Sequence, residues 1–185
     1  MYRSSEVYER IKRVIIKICV DYNITAADFP LDEKKICRKM RVKLVPYSSY
    51  DIKRKQLLLK CSKYGFFVKE TKETPPRIFY NDELGSEGAI RFTIFHELKH
   101  YIFNDCDDSE DDLADFFARY FLCPIPYVIL MNMNTPEEIM QKFGVSYTAA
   151  KNVCSNVEHR REIYGDKLFE YELPLIEQLV AGLNY

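Results

Sequence analysis

The sequence lacks several features that would assign a protein to a common class. It contains no run of about 18 apolar residues, the length that a membrane-spanning helix needs. The nearest candidate, residues 14–20, is short and contains Lys17. Internal repeats, low-complexity tracts and the glycine-rich fingerprints that bind nucleotide phosphates are also missing. We therefore expect neither a membrane span nor a nucleotide-binding site of these types.

The six cysteines lack the spacing of a disulfide framework. No two of them form a C-x-x-C pair, and no secretory signal peptide is expected before them. Scattered thiols of this kind are typical of a reducing compartment. We therefore expect a soluble, cytoplasmic protein with reduced cysteines, which are Cys19, Cys37, Cys61, Cys106, Cys123 and Cys154.

A strong net charge is absent as well, since 27 basic and 28 acidic residues give a formal charge of −1. The charges are unevenly spread, with a basic surplus in residues 1–77 and an acidic surplus in residues 78–185. The basic residues are interspersed with apolar ones, which favours solvated faces over a nucleic-acid interface. Direct nucleic-acid binding is therefore not expected.

Histidine is scarce, yet two of the three histidines lie in the pentapeptide HELKH at residues 96–100. Residues four apart stack on one face of an α-helix, so His96 and His100 can direct ring nitrogens at one Zn²⁺. Glu97 lies beside them, where it can reach a water on the metal. An apolar stripe would bury this helix; it consists of Ile90, Ile94, Leu98 and Ile102. The pattern indicates a metal-dependent hydrolase.

Two histidines are too few for such a site, because catalytic zinc takes three protein ligands. Residues 109–124 supply carboxylates at the start of a second amphipathic helix, which Pro124 would end. The helix dipole favours acidic residues in the first turn of any helix, so each carboxylate also has an ordinary structural explanation. The residues alone leave the third ligand open.

The run at residues 91–100, followed by D-x-x-A-D-x-F-A at residues 111–118, resembles the ImmA/IrrE family of zincin metallopeptidases. In that family the second motif is E-x-x-A-[N/D]-x-F-A, and its first residue is the third zinc ligand. The resemblance implies that Asp111 is the third ligand and that Asp115, one turn later, orients a histidine. This sequence departs from the family by the shorter Asp at 111, which leaves Glu110 as the alternative ligand, and by the unusual Lys99.

The patterns and the resemblance predict an α+β fold, a zincin-like metallopeptidase domain whose small β-sheet packs on the HExxH helix, with a helical C-terminal part. Apolar spacing predicts helices at 5–22, 30–40, 92–102 and 109–123. Short β-branched or aromatic runs predict strands at 42–46, 66–69 and 77–81, whereas 51–64 fits a helix or a strand. We predict a zincin-like domain at residues 1–124 and a helical segment at 125–185 packed on it.

The strand that precedes the HExxH helix has two possible roles. Zincins hold the extended backbone of a substrate along an edge strand, and residues 78–80 could be that edge. They could equally form an ordinary central strand.

Residues 135–153 have the spacing of a helix-turn-helix. A Thr-Pro-x-Glu start at Thr135, a stop at Gly144 and a cap at Ser146 define two helices. The second helix has few Arg or Lys residues near its start, where base contacts are made, so we favour simple helical packing over DNA reading. The apolar tail, residues 168–180, is expected to dock on the domain, and His159 is expected at the surface.

The predicted function is that of a zinc-dependent endopeptidase, in which His96, His100 and Asp111 bind Zn²⁺ and Glu97 is the general base. ImmA/IrrE proteins occur in phages, mobile elements and stress-response loci and act on helix-turn-helix repressors. The resemblance therefore implies a protein substrate, a transcriptional repressor. Two alternatives stay open: a metal-stabilised protein that binds a repressor or toxin without cutting it, and a helix-turn-helix DNA-binding regulator.

Overall fold

The computed structural model describes residues 4–105 and 110–181. The chain forms two compact units. One consists of residues 32–118, and the other of residues 1–31 together with residues 119–185. The predicted domain boundary between residues 124 and 125 stays a prediction.

A three-stranded sheet lies in the unit formed by residues 32–118. Its strands are β1 (Lys43–Pro46), β2 (Gly65–Val68) and β3 (Arg77–Tyr80), which confirms the three predicted strands. The strand order is β1-β3-β2, with β1 parallel and β2 antiparallel to β3. Phe79 on β3 lies opposite Val45 and Phe66, and the rings of Phe66 and Phe79 stack with their centroids 5.1 Å apart.

The interpretation of residues 78–80 as an edge strand is wrong, because β3 is the central strand. Ile78, Phe79 and Tyr80 are all buried, so β3 has buried side chains on both of its faces. This pattern is what a strand covered on both sides requires. The edges of this sheet are β1 and β2.

Four helices begin in the same unit: α2 (Glu33–Lys39), α3 (Ile52–Cys61), α4 (Glu87–Phe103) and α5 (Asp111–Leu122). The undecided segment is therefore the helix α3, which starts where the Asp51 carboxylate accepts a hydrogen bond from the Arg54 N–H at 2.9 Å. None of its residues is fully buried, and only the partly buried Leu58 packs on the cluster around Tyr47. A helix that is so weakly buried has no clear apolar face, which explains why periodicity did not identify it.

Helix α4 packs closely against β2 and β3. It starts at Ser86, whose hydroxyl accepts a hydrogen bond from the Ala89 N–H at 3.1 Å. A Cβ atom at Gly65 would lie 2.8 Å from the Phe79 carbonyl oxygen and 2.8 Å from Thr93 Cγ2. Glycine at this position therefore lets strand β2 approach the part of α4 that precedes HELKH.

The other unit is helical throughout its described secondary structure. It contains α1 (Ser5–Asp21), the end of α5, α6 (Ile125–Leu130), α7 (Pro136–Phe143), α8 (Tyr147–Tyr164) and α9 (Leu173–Val180). Thr135 forms a capping box with Glu138, and Gly144 ends α7 with φ 63°, as predicted. Leu175 and Leu179 of α9 are buried, and α9 packs on α1, so the tail docks on its own unit.

The stretch Asp111–Leu130 contains an 18-residue window with the length and composition of a membrane span, whose mean hydropathy is 1.4. It consists of two helices that meet at Pro124, and 72% of the apolar window is buried inside the protein. Burial of this extent is typical of the core of a soluble protein.

Candidate metal centre

Helix α4 brings the two predicted histidines together on one face. The rings of His96 and His100 lie 5.4 Å apart, centroid to centroid, because one helical turn separates them. Ile94, Phe95 and Leu98 are buried on the same helix and fix its rotation. The histidine pair therefore rests on a rigid, buried element.

Helix α5 brings a carboxylate to this pair. Asp111 Oδ1 lies 3.7 Å from His96 Nε2 and 3.8 Å from His100 Nε2. The ligand atoms of the three residues all lie within 4.8 Å of one another. A tetrahedral zinc ion with bonds of about 2.1 Å holds its ligand atoms about 3.4 Å apart, so the spacing suits a small cation.

Both histidines are oriented by carboxylates on their other ring nitrogens. His96 Nδ1 donates a hydrogen bond to Asp115 Oδ1 at 2.9 Å, and His100 Nδ1 donates to Asp105 Oδ1 at 2.6 Å. A proton on each Nδ1 leaves the lone pair of each Nε2 for a metal. Both Nε2 atoms are the ones near Asp111, so the tautomers fit a metal ligand set. The position of Asp115 agrees with the role that the family resemblance implies.

Sequence reasoning missed Asp105. Asn104 adopts a left-handed conformation with φ 54° directly after α4, and the Asp105 N–H donates to the His100 carbonyl oxygen at 3.1 Å. This reversal returns the Asp105 carboxylate to the helix that it has just left. The signal in the sequence is the Asn at the helix end, a residue that tolerates the left-handed conformation.

The local charges raise the pKa of His96 above its ordinary value. Burial alone lowers this pKa, but the hydrogen bond with Asp115 and the negative charges of Glu97, Asp115 and Asp111 raise it by more. The same negative charges favour a cation at Nε2, since a bound metal takes the place of the proton there.

Glu97 is buried beside the ligand group but does not belong to it. Burial raises the pKa of the nearby Tyr47 phenol to about 12, and the charges of Cys61 and Glu97 contribute to this rise. The Tyr47 hydroxyl donates to the Ser62 carbonyl oxygen at 3.1 Å. A carboxylate that stands next to a metal site without being a ligand is available for proton transfer.

Glu110, the alternative third ligand, lies elsewhere. Its Oε2 is 3.5 Å from Lys99 Nζ, whereas Asp111 faces the histidines. The Asp111 side chain is 61% exposed, so the ligand group is open to solvent on its α5 side.

The third histidine of the chain, His159, lies outside this group. It is exposed and pairs with Glu162 on α8, which matches its predicted surface position.

Two imidazoles and one carboxylate could hold a metal ion, and this donor set favours a transition metal such as zinc over the harder Mg²⁺ and Ca²⁺. Three protein ligands leave a position for water or substrate. Such an arrangement can activate a water and polarise a carbonyl group.

Comparison with known protein families identifies a match that covers more than half of the chain. The profile of the Peptidase_M78 family, described as the IrrE N-terminal-like domain, matches residues 47–155. These residues include all of α4 and α5, and with them the two histidines and Asp111. No curated protein matches the chain.

Proposed function

The chain belongs to the Peptidase_M78 family of IrrE N-terminal-like domains, which is a family of metallopeptidase type, and on this premise we propose that the protein is a zinc-dependent endopeptidase. The membership agrees with the predicted ImmA/IrrE resemblance. The observation that carries the proposal is the group formed by His96, His100 and Asp111, in which both histidines are held by carboxylates with Nε2 toward the third ligand.

The proposed ligands are His96 Nε2, His100 Nε2 and the Asp111 carboxylate. When bound, zinc would supply Lewis-acid chemistry and lower the pKa of the water that it binds to about 7. Asp105 and Asp115 accept hydrogen bonds from the Nδ1 atoms and so turn each Nε2 toward the position of the metal. The exposed side of the group at Asp111 gives a peptide access to it.

Glu97 is the proposed general base. Its carboxylate accepts the proton of the water that attacks the scissile carbonyl carbon, and it then delivers that proton to the amine that leaves. Burial of Glu97 beside His96 keeps it within the site without competing for the metal. The negative charge needed for this step is therefore held next to the ligand group.

Strand β2 is the proposed platform for the substrate, since β3 lies in the centre of the sheet. It is an edge of the sheet and packs against α4, the helix that carries both histidines. A peptide in extended conformation can add to such an edge by backbone hydrogen bonds. The proposed substrate is a helix-turn-helix transcriptional repressor. Its gene would lie beside the gene of this protein in a phage, mobile element or stress-response locus.

Glu97→Gln tests the proposal, because it removes the proton acceptor and preserves the shape of the side chain. We expect the variant to bind one zinc ion per chain, as the parent does, and to lose cleavage of a co-expressed neighbouring repressor. Mass spectrometry of the repressor and metal analysis of both proteins measure the two properties. Cleavage by Glu97→Gln at the parental rate would show that the base lies elsewhere.

Two further measurements on the parent protein separate the rival functions. A parent protein that captures the repressor in a zinc-dependent way and leaves it whole is a metal-stabilised binding protein. A parent whose DNA affinity falls steeply with salt and is lost after substitutions in residues 143–153 is a DNA-binding regulator. Either result would contradict the proposed peptidase.

A further inference from the structure

Lys99 is the least expected residue of the HELKH motif. Its side chain is only 1% exposed, as buried as the side chains of Phe95 and Leu98 on the same helix. Those two residues are apolar, whereas Lys99 carries an amino group. A buried ammonium group loses its hydration and needs charged partners in compensation. The partners of Lys99 therefore show what this residue does.

The first partner is the carboxylate that orients a histidine. Lys99 Nζ lies 3.1 Å from Asp105 Oδ1, and the same oxygen accepts the hydrogen bond of His100 Nδ1 at 2.6 Å. Asp105 is thus held from two sides. Because Asp105 fixes the tautomer of His100, the Lys99 contact helps to direct His100 Nε2.

The second partner lies at the start of the other helix. Lys99 Nζ is 3.5 Å from Glu110 Oε2, and Glu110 directly precedes Asp111. The Asp111 carboxylate is attached by one methylene group, so its reach is set by the backbone of the first turn of α5. An ion pair that ties this turn to α4 therefore controls the distance between Asp111 and the two histidines.

An aromatic contact also joins α4 and α5. The rings of Phe103 on α4 and Phe117 on α5 meet edge to face with centroids 6.4 Å apart, and Phe117 is fully buried. Lys99 Nζ also lies 5.9 Å from the centroid of the Phe103 ring. Lys99 is therefore in contact with this aromatic pair as well as with the carboxylates of Asp105 and Glu110.

We propose that Lys99 is a positioning residue that assembles the metal site, holding Asp105 against His100 and the Glu110–Asp111 turn against α4. This inference rests on the proposed function only in taking a zinc-type ion as the metal. Lys99 would support the metal site without contacting either the metal or the substrate. It also accounts for a short third ligand, since the tie brings the start of α5 within reach of the histidines.

Lys99→Met tests the proposal, because methionine fills a similar volume and has no charge. Zinc affinity is measured by competition with a chromophoric chelator, and site geometry by the visible absorption of the Co²⁺-substituted protein. We expect roughly 10- to 100-fold weaker zinc binding, as is typical when outer contacts of a metal site are lost, and an altered Co²⁺ spectrum. Parental affinity together with a parental spectrum would overturn the proposal.

A longer third ligand sharpens the test. In Asp111→Glu the carboxylate reaches further, so the site depends less on the position of the turn. We expect Lys99→Met to weaken zinc binding by a smaller factor in the Asp111→Glu background than in the parent. Equal factors in the two backgrounds would show that Lys99 acts by general stability and not through the third ligand.

Lys142→Met is the matched control. Lys142 is partly buried, and its Nζ donates to the Ala26 carbonyl oxygen at 2.8 Å in the other unit of the chain. We expect this variant to unfold more easily and to bind zinc with parental affinity. Should Lys99→Met fail to fold, Glu110→Gln decides instead: weaker zinc binding supports the proposal, and unchanged binding contradicts it.

Failure of this inference is distinct from failure of the proposed function. A parent protein that binds no zinc contradicts the proposed function itself. A parent that binds zinc and loses cleavage on Glu97→Gln, while Lys99→Met binds zinc normally, contradicts only the role of Lys99.

Discussion

The two helices of the metal site hold their ligands in different ways. On α4 the side chains of His96 and His100 are 18% and 8% exposed, and one helical turn fixes their separation. On α5 the side chain of Asp111 is 61% exposed, and its distance to the histidines depends on contacts between the helices. The comparison teaches that one half of a metal site can be specified by local geometry and the other half by tertiary contacts.

Removal of a histidine should have the largest effect, because it breaks the locally specified half. His96→Ala and His100→Ala should each lower zinc affinity by roughly 1,000-fold, since about a third of a binding free energy of about 10–16 kcal/mol is lost. Isothermal titration calorimetry measures the change. His159→Ala is the control, because that side chain is 74% exposed on another helix. Parental zinc affinity in both variants would exclude the site.

The third ligand tests the half that depends on tertiary contacts. We expect Asp111→Ala to weaken zinc binding by roughly 100-fold or more, because it removes a ligand, and Glu110→Ala to have a smaller effect through the contact with Lys99. Chelator competition at one pH compares the two proteins directly. If Glu110→Ala loses the metal and Asp111→Ala retains it, the ligand assignment is wrong by one residue.

Replacement of the carboxylates that orient the two α4 histidines should have a moderate effect on zinc affinity. It shows how far helix geometry alone determines the position of these histidines. Asp105→Asn and Asp115→Asn keep the side-chain shape but weaken the hydrogen bonds to the histidines, so roughly 10-fold weaker zinc binding is expected for each. Asp112→Asn, an exposed residue in the first turn of α5, is the control. Parental affinity in both variants would mean that helix geometry alone orients the histidines.

The locally determined features of the protein were predictable from its sequence. Four-residue spacing placed His96 and His100 together, and capping chemistry placed the helix start at Thr135 and the helix end at Gly144. These features depend on bonds within one or two turns of a helix. Their signals therefore lie in adjacent residues.

Features that depend on distant contacts were not predictable in the same way. The central position of β3 follows from pairing with strands on both sides, and residues 78–80 alone could not show it. Asp105 reaches His100 only because the chain reverses at Asn104. Lys99 was recognisable as unusual within its motif, but its partners Asp105 and Glu110 became visible only in the folded chain.

A crystal structure of the zinc-loaded protein, with anomalous diffraction at the zinc edge, tests the central claim most directly. The account predicts one anomalous peak between α4 and α5. The zinc ion at this peak is expected to bind His96 Nε2, His100 Nε2 and the Asp111 carboxylate at about 2.0–2.2 Å, with one coordination position open to solvent. A peak bonded to Glu110 in place of Asp111, or no peak at the two histidines, would contradict it.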